Sequence, residues 1–261
     1  MRHNSNQSEA RPFPEGDLQE GLLEGRNALQ EALRSGRTID KVWVAAGDTD
    51  RNLARLVSEA KEQGAVVIPV DRRKLDGMSM THAHQGIIAL AAARPYATLD
   101  DIFALAESRG ESPLIVVCDE LSDPHNLGAI IRSAECAGAH GVVIPKRRSA
   151  GLTPVVAKAS AGAIEYMPVA RVPNIPSALK ELQERGVWVY GTAADGTQEL
   201  FEVSFQGPTA IVIGNEGAGM GRLVRQTCDI LVRIPMRGHI SSLNASAAAA
   251  ILLYEAVRQR K

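Results

Sequence analysis

The 261-residue sequence has no apolar run approaching the ~18 residues that a membrane-crossing helix needs. Its longest apolar stretches are short and β-branched, such as Leu114-Ile115-Val116-Val117, and read as buried strands. Cysteine is scarce: Cys118, Cys136 and Cys228 are far apart and odd in number, which excludes a disulfide framework and offers no zinc spacing. That usage fits a reducing compartment, the cytoplasm, and Cys136 reads as a plain buried thiol. Basic excess is missing as well, with 29 Lys and Arg against 30 Asp and Glu and a net charge of −1. A nucleic-acid-binding domain is usually basic, so any such role must rest on local charge. The candidates are Lys146-Arg147-Arg148, Arg72-Arg73-Lys74 and the Arg222/Arg225 pair, each set against the plainer reading of a solvated surface. There is no internal repeat, no low-complexity tract and no Gly-Lys-Ser/Thr phosphate loop.

What is present is an ordinary globular composition, 45% hydrophobic and 23% charged, in a chain long enough for two modest domains. Residues 1–17 are polar, carry Pro12, Pro14 and Gly16 and lack an apolar core, so they read as a disordered leader and not a signal peptide. Residues 18–93 alternate helical and strand patterns in a small α/β unit. A helix over Gly25 to Arg34 precedes the strand Lys41 to Ala46; a helix with Leu53, Leu56, Val57 and Ala60 on one face precedes the strand Ala65 to Val70. Residues 94–111 read as a linker with a short polar helix. Residues 112–261 hold five strand patterns, at 114–117, 141–144, 187–190, 210–213 and 230–234, mostly separated by helices. Strands alternating with helices predict a parallel sheet covered on both faces.

Ligands of such sheets bind at the carboxyl edge, and three segments place polar residues there. The first is Asp123-Pro124-His125-Asn126-Leu127-Gly128, with Arg132 following. Leu127, Ile130, Ile131, Ala134 and Ala137 form one helical stripe, Asn126 is placed to cap that helix and Gly138 to end it. Arg132 lies off the stripe, close enough to reach the helix's open N-terminal end. The second is Gly214-Asn215-Glu216-Gly217-Ala218-Gly219-Met220-Gly221, after a strand; its glycines allow close backbone approach, but their order is not the dinucleotide fingerprint and Glu216 would repel a pyrophosphate. The third runs from Ile234-Pro235-Met236-Arg237-Gly238 through Ser241-Ser242-Leu243-Asn244. A helix is expected to start at Ser241 or Ser242, with Leu243, Ala247, Ala250, Ile251 and Tyr254 on its buried face. Each segment alone is equally consistent with a capped helix or a tight turn.

Taken together and in this order, the three segments closely resemble the motifs of the SpoU (TrmH-like) RNA ribose methyltransferases of the SPOUT superfamily. The likeness covers the second unit, including Lys158-Ala159-Ser160-Ala161-Gly162-Ala163; Ala245, where valine is more usual, is a small departure. The first unit resembles the ribosomal-protein-like RNA-binding domain of that family, with Gly25-Arg26-Asn27-Ala28 at its head and His84-Gln85-Gly86-Ile87 at its tail. The resemblance implies an α/β SPOUT domain with a parallel sheet and a deep C-terminal trefoil knot, which pattern reading alone would not suggest. It implies S-adenosylmethionine held largely by backbone at Thr192, Gly214, Ile234, Met236 and Leu243. It assigns catalysis to Arg132, supported by Asn126, Glu216, Ser242 and Asn244.

A guanidinium holds its proton to above about pH 12, so orienting the ribose 2′-hydroxyl and stabilising the developing alkoxide is at least as apt a role for Arg132 as removing the proton. The implied partners are RNA and a second copy of the chain, with no metal and no membrane. The two-unit layout favours a guanosine ribose of large-subunit ribosomal RNA; a transfer-RNA ribose and a non-catalytic RNA-binding protein on the same fold are the alternatives. A nicotinamide-dependent oxidoreductase is disfavoured by the glycine order.

Overall fold

The computed structural model describes residues 21–260, so the expected leader at 1–17 lies outside the described residues. Two sheets organise the chain. The first contains β1 (Leu22–Glu24), β2 (Ile39–Ala45), β3 (Val66–Val70) and β4 (Ile87–Ala91) in the order β1-β4-β2-β3. Only β2 and β3 run parallel; β4 is antiparallel to both β1 and β2, so this sheet is mixed. It carries α1 (Arg26–Arg34), α2 (Arg51–Glu62) and α3 (Arg72–Met78). The α2 helix starts where Asp50 accepts hydrogen bonds from the amides of Asn52 and Leu53, and buries Leu53, Leu56 and Ala60 at helical spacing. The polar stretch 94–111 contains α4 (Leu99–Arg109), opened by a reciprocal Thr98/Asp101 capping box and closed by Gly110 with φ 65°.

The second sheet has seven parallel strands. In chain order these are β5 (Leu114–Cys118), β6 (Gly141–Pro145), β7 (Val169–Val172), β8 (Trp188–Thr192), β9 (Gln198–Glu199), β10 (Thr209–Ile213) and β11 (Ile230–Arg233). Across the sheet they lie β7-β6-β5-β10-β8-β11-β9, every pairing parallel. The central strands β5, β6 and β10 are buried at every residue, as a sheet covered on both faces requires. Helices α5 (Pro124–Cys136), α6 (Pro154–Ala159), α7 (Ile175–Glu184), α8 (Arg222–Thr227) and α9 (Ala245–Gln259) provide the cover. The chain leaves β8 for the edge strand β9, returns to insert β10 between β5 and β8, and then places β11 between β8 and β9. The strands β7 and β9 were not expected from the sequence. Each is short, and β7 interrupts its apolar pattern with Arg171.

Three local expectations are corrected. Cys136 is exposed, on the solvent side of α5, and is not a buried thiol. Helix α9 begins at Ala245 and not at Ser241 or Ser242, because the Asn244 side chain caps it. Its buried face is Ala245, Ala249, Leu252, Leu253 and Ala256, whereas Ile251 and Tyr254 are exposed. The periodicity was right, but several apolar faces were available on so small-sided a helix, and packing against α5 selected one.

The two sheets share a continuous hydrophobic core. Polar contacts lock them: the buried Glu165 side chain accepts from Arg37 Nη1 at 2.7 Å and from Arg94 Nη1 at 3.2 Å. Lys158 Nζ donates to Thr81 Oγ1 at 3.0 Å and to the Ala83 carbonyl at 2.8 Å.

Candidate functional site

Helix α5 is capped by Asp123, whose carboxylate accepts from the His125 amide at 2.9 Å, with Pro124 at the first helical position. The expectation that Asn126 caps this helix is therefore corrected. Because Asp123 satisfies the open end, the Asn126 side chain is free for long-range contacts. Leu127, Ile130 and Ile131 are fully buried, each contributing about 1.5–3 kcal/mol, and they hold this turn against the sheet. Gly128 lets α6 approach: a Cβ there would stand 2.5 Å from Ala159 Cβ and 2.8 Å from the Val156 carbonyl.

The glycine segment forms a closed loop beyond β10. Asn215 and Gly219 exchange backbone hydrogen bonds at 3.0 and 2.9 Å, and Asn215 Oδ1 accepts from the Gly217 amide at 2.9 Å. Asn215 Nδ2 donates to the Glu120 carbonyl at 2.9 Å, and the Gly221 amide donates to Asp119 Oδ2 at 2.7 Å, tying the loop to the end of β5. Burial pushes the Asp119 carboxyl up, while the Gly221 amide works in the opposite direction. A Cβ on Gly214 would sit 2.4 Å from Gly219 C and Met220 N, so the loop closes only around glycine.

The third segment ends at Asn244, whose Oδ1 accepts from the Ser246 amide at 2.9 Å and the Ala247 amide at 3.3 Å. Its Nδ2 points the other way and donates to Glu216 Oε1 at 2.8 Å and Asn126 Oδ1 at 3.0 Å. Asn126 Nδ2 in turn donates to Glu216 Oε1 and, at 3.0 Å, to Asp123 Oδ2. Three distant segments thus meet in one polar cage of Asn126, Glu216 and Asn244, with one carboxylate oxygen shared by two amides.

Beside the cage lies a cavity of about 820 Å³, within the usual range for a cofactor site. Its wall includes Thr192, Gly214, Ile234, Met236 and Leu243, and also Glu216 and Ser242. Thr192 lines the cavity with its Oγ1 committed to the Val212 carbonyl at 2.6 Å. A glycine cradle and a wall that mixes apolar side chains such as Ile213, Ile234, Met236 and Leu243 with polar ones suit S-adenosylmethionine, which carries both apolar and charged parts. The rim carries two ion pairs that were not anticipated, Arg225 with Asp195 at 2.8 and 2.9 Å and Arg233 with Glu199 at 2.9 Å. They went unseen because the partners are about 30 residues apart and no periodicity links them. Asp119 was also missed, although a carboxylate directly after the wholly apolar β5 was a visible signal.

Arg132 is not gathered into the cage. It lies on the exposed face of α5, near the exposed Cys136, and makes no hydrogen bond or ion pair among the described residues. The expectation that it reaches back to the helix start is corrected: Asp123 and Asn126 already occupy that end. Ser242 lines the cavity from an exposed, non-helical segment. Among the described residues no group of three or more His, Cys, Asp or Glu side chains could hold a metal, and no helix is long and apolar enough to cross a membrane. Burial pushes the thiols of Cys118 and Cys228 up to about 12, so neither is a nucleophile at neutral pH.

Comparison with known proteins gives a consistent result. Residues 113–254 match the model of the SpoU rRNA methylase family, and residues 22–97 match that of the RNA 2′-O ribose methyltransferase substrate-binding domain. A Bacillus subtilis protein named for the TrmH family of tRNA/rRNA methyltransferases is 50% identical over 236 residues, 90% of this chain and 94% of that protein. The 23S rRNA (guanosine-2′-O-)-methyltransferase RlmB of Ralstonia nicotianae is 46% identical, covering 92% of this chain and 96% of its own. The solved structure of the SpoU methyltransferase AviRb from Streptomyces viridochromogenes, in complex with AdoMet, superposes with a TM-score of 0.80 at 30% identity, covering 92% and 89% of the two chains.

Proposed function

Since the chain belongs to the SpoU family, and is an RNA methyltransferase that uses S-adenosylmethionine, we propose that it methylates a guanosine ribose 2′-hydroxyl of large-subunit ribosomal RNA in the cytoplasm. The observation that carries the reading is the Asn126–Glu216–Asn244 cage directly beside the cavity. The presence of a first unit matching the substrate-binding model, and the name of the Ralstonia relative, support ribosomal RNA over transfer RNA.

When bound, the cofactor supplies an already activated sulfonium methyl, so the chain's own residues need only position the ribose and manage one proton. Thr192, Gly214, Ile234, Met236 and Leu243 would hold the cofactor along the cavity wall. Glu216 holds Asn126 and Asn244 in one rigid cage that shapes the ribose site at the cavity mouth; Ser242 closes its edge. Arg132 stabilises the oxygen as its proton leaves. Because Arg132 stands outside the cage of its own chain, this role is best filled across a homodimer. The exposed apolar side chains of α9, Ile251 and Tyr254, lie off its buried face and would give such a dimer its contact surface. The knot implied by the family belongs to the same reading, and the out-and-back path of β8 to β11 supports it. The division into a substrate-binding unit at 18–93, a linker at 94–111 and a methyltransferase unit at 112–261 is likewise part of the proposal.

The test is to map ribose methylation across ribosomal and transfer RNA from cells lacking the protein. One guanosine of the large-subunit RNA should lose its 2′-O-methyl group. Loss confined to a transfer-RNA position would overturn the ribosomal assignment.

A further inference from the structure

The basic run Lys146-Arg147-Arg148 has no part in the cage or the cavity. It follows β6 at the carboxyl edge of the large sheet, on the opposite side of β5 from the cavity over β10, β8 and β11. Adjacent strands are about 4.8 Å apart, so the run stands roughly 10 Å from β10. It is fastened to the site. The Ala150 amide donates to the Leu121 carbonyl at 2.9 Å, and Arg148 Nη1 donates to Glu120 Oε1 at 2.9 Å. The backbone carbonyl of the same Glu120 accepts from Asn215 Nδ2 of the glycine loop.

From behind, Arg171 Nη2 donates to the Lys146 carbonyl at 3.2 Å while its guanidinium lies 4.9 Å over the Tyr96 ring. The Tyr96 hydroxyl accepts from the Leu152 amide at 3.0 Å. Arg148 takes a left-handed conformation, φ 59°, without being glycine, so these tethers hold the loop in one shape. The chain then runs straight into α6, which packs on β1, and Lys158 of α6 grips the first unit at Thr81 and Ala83. The run is therefore linked on one side to the glycine loop beside the cage and on the other, through α6, to the first unit.

The side chains of Lys146 and Arg147 are exposed and make no hydrogen bond or ion pair among the described residues. Of the nearby carboxylates, Glu120 is taken by Arg148, and Asp123 by the His125 amide and Asn126. Two unneutralised cations on a braced loop beside an RNA-methylating site match the phosphodiester backbone. We propose that Lys146 and Arg147 contact phosphates of the RNA strand flanking the target nucleotide, with Arg148 as the tether that positions them. The strand then crosses the sheet edge from the first unit, over β6, to the ribose at β5 and β10. The inference rests on the RNA-ribose reading above and adds the path by which the strand enters.

The test uses the full chain, a large-subunit rRNA transcript and a tRNA transcript, with RNA affinity measured between 50 and 200 mM KCl. Loss of two phosphate contacts should flatten the slope of log K against log salt by about 1.4 in the Lys146→Ala/Arg147→Ala variant. The RNA KM should rise about tenfold with kcat within about twofold, the signature of lost uniform binding. Calorimetric S-adenosylmethionine affinity should be unchanged, which also shows that the variant is folded. The control Lys180→Ala, on α7, should leave slope and KM as in the wild type. An unchanged slope and KM in the double variant, on whichever RNA the wild type methylates, overturns the proposal. Wild-type methylation of the tRNA alone would sink the ribosomal target instead, and the slope is then decided on tRNA.

Discussion

Asn126→Asp is nearly isosteric and turns a donor into an acceptor at the centre of the cage. Asn126 is 5% exposed, and its Nδ2 serves two carboxylates, Glu216 and Asp123. The substitution removes both charge-assisted bonds and sets a third carboxylate about 3 Å from the other two. Each contact of that kind is worth about 5.5 kcal/mol of repulsion at an effective dielectric constant of 20 and about 1.4 kcal/mol in water. Glu216 is exposed, so the true figure lies toward the lower value.

Protonation sets a ceiling. The introduced carboxyl can always take up a proton, which at pH 7 costs roughly 1.36 × (7 − 3.9), or about 4 kcal/mol. The expected destabilisation is therefore about 2–4 kcal/mol at pH 7.5. The introduced group has a folded-state pKa above its unfolded value. Its penalty is thus absent below about pH 4 and grows as pH rises. Urea unfolding of variant and wild type at pH 7.5 and pH 5 measures this directly, and the gap between them should shrink by at least about 1 kcal/mol at the lower pH. A gap below about 0.5 kcal/mol at pH 7.5, or one that does not change with pH, would refute the cage as a charge-assisted network. Methyl transfer should be lost at both pH values.

Arg132→Ala should abolish methyl transfer while calorimetric cofactor binding stays near wild type; retention of more than about a tenth of the rate, under ~1.4 kcal/mol in barrier, would contradict the assigned role. Gly214→Ala forces a Cβ into the backbone at Gly219 and Met220, and calorimetry should show S-adenosylmethionine affinity falling by about tenfold or more. Ile251→Asp with Tyr254→Asp should yield a folded monomer by analytical ultracentrifugation, with activity lost through the missing second copy. Burial raises the Asp119 carboxyl, so its effect on stability is most favourable below the unfolded pKa and worsens as pH rises through the folded value. Asp119→Asn keeps an acceptor for the Gly221 amide and should raise the thermal midpoint at pH 8 relative to wild type but not at pH 4, read by scanning calorimetry.

The chain's local rules were legible in its sequence. Apolar runs of four or five residues became buried parallel strands, and the Gly214–Gly221 run could close only around glycine, a constraint of backbone geometry. The motifs identified Asn126, Glu216 and Asn244 as a set before any fold was known. What the sequence misjudged were choices between equally good local partners. Both Asp123 and Asn126 can cap a helix; Asp123 does, because Asn126 has a carboxylate to meet 90 residues away. Several faces of α9 could be buried, and the neighbouring α5 selected one. Arg132 resembled a residue within reach of its own helix start, yet that end was already filled. Local energies of about 1 kcal/mol cannot separate such alternatives, whereas burial against another element and pairing with a distant charge can. For this reason the motif membership came from sequence, while the cage, the braced basic loop and the outward Arg132 were decided by tertiary structure.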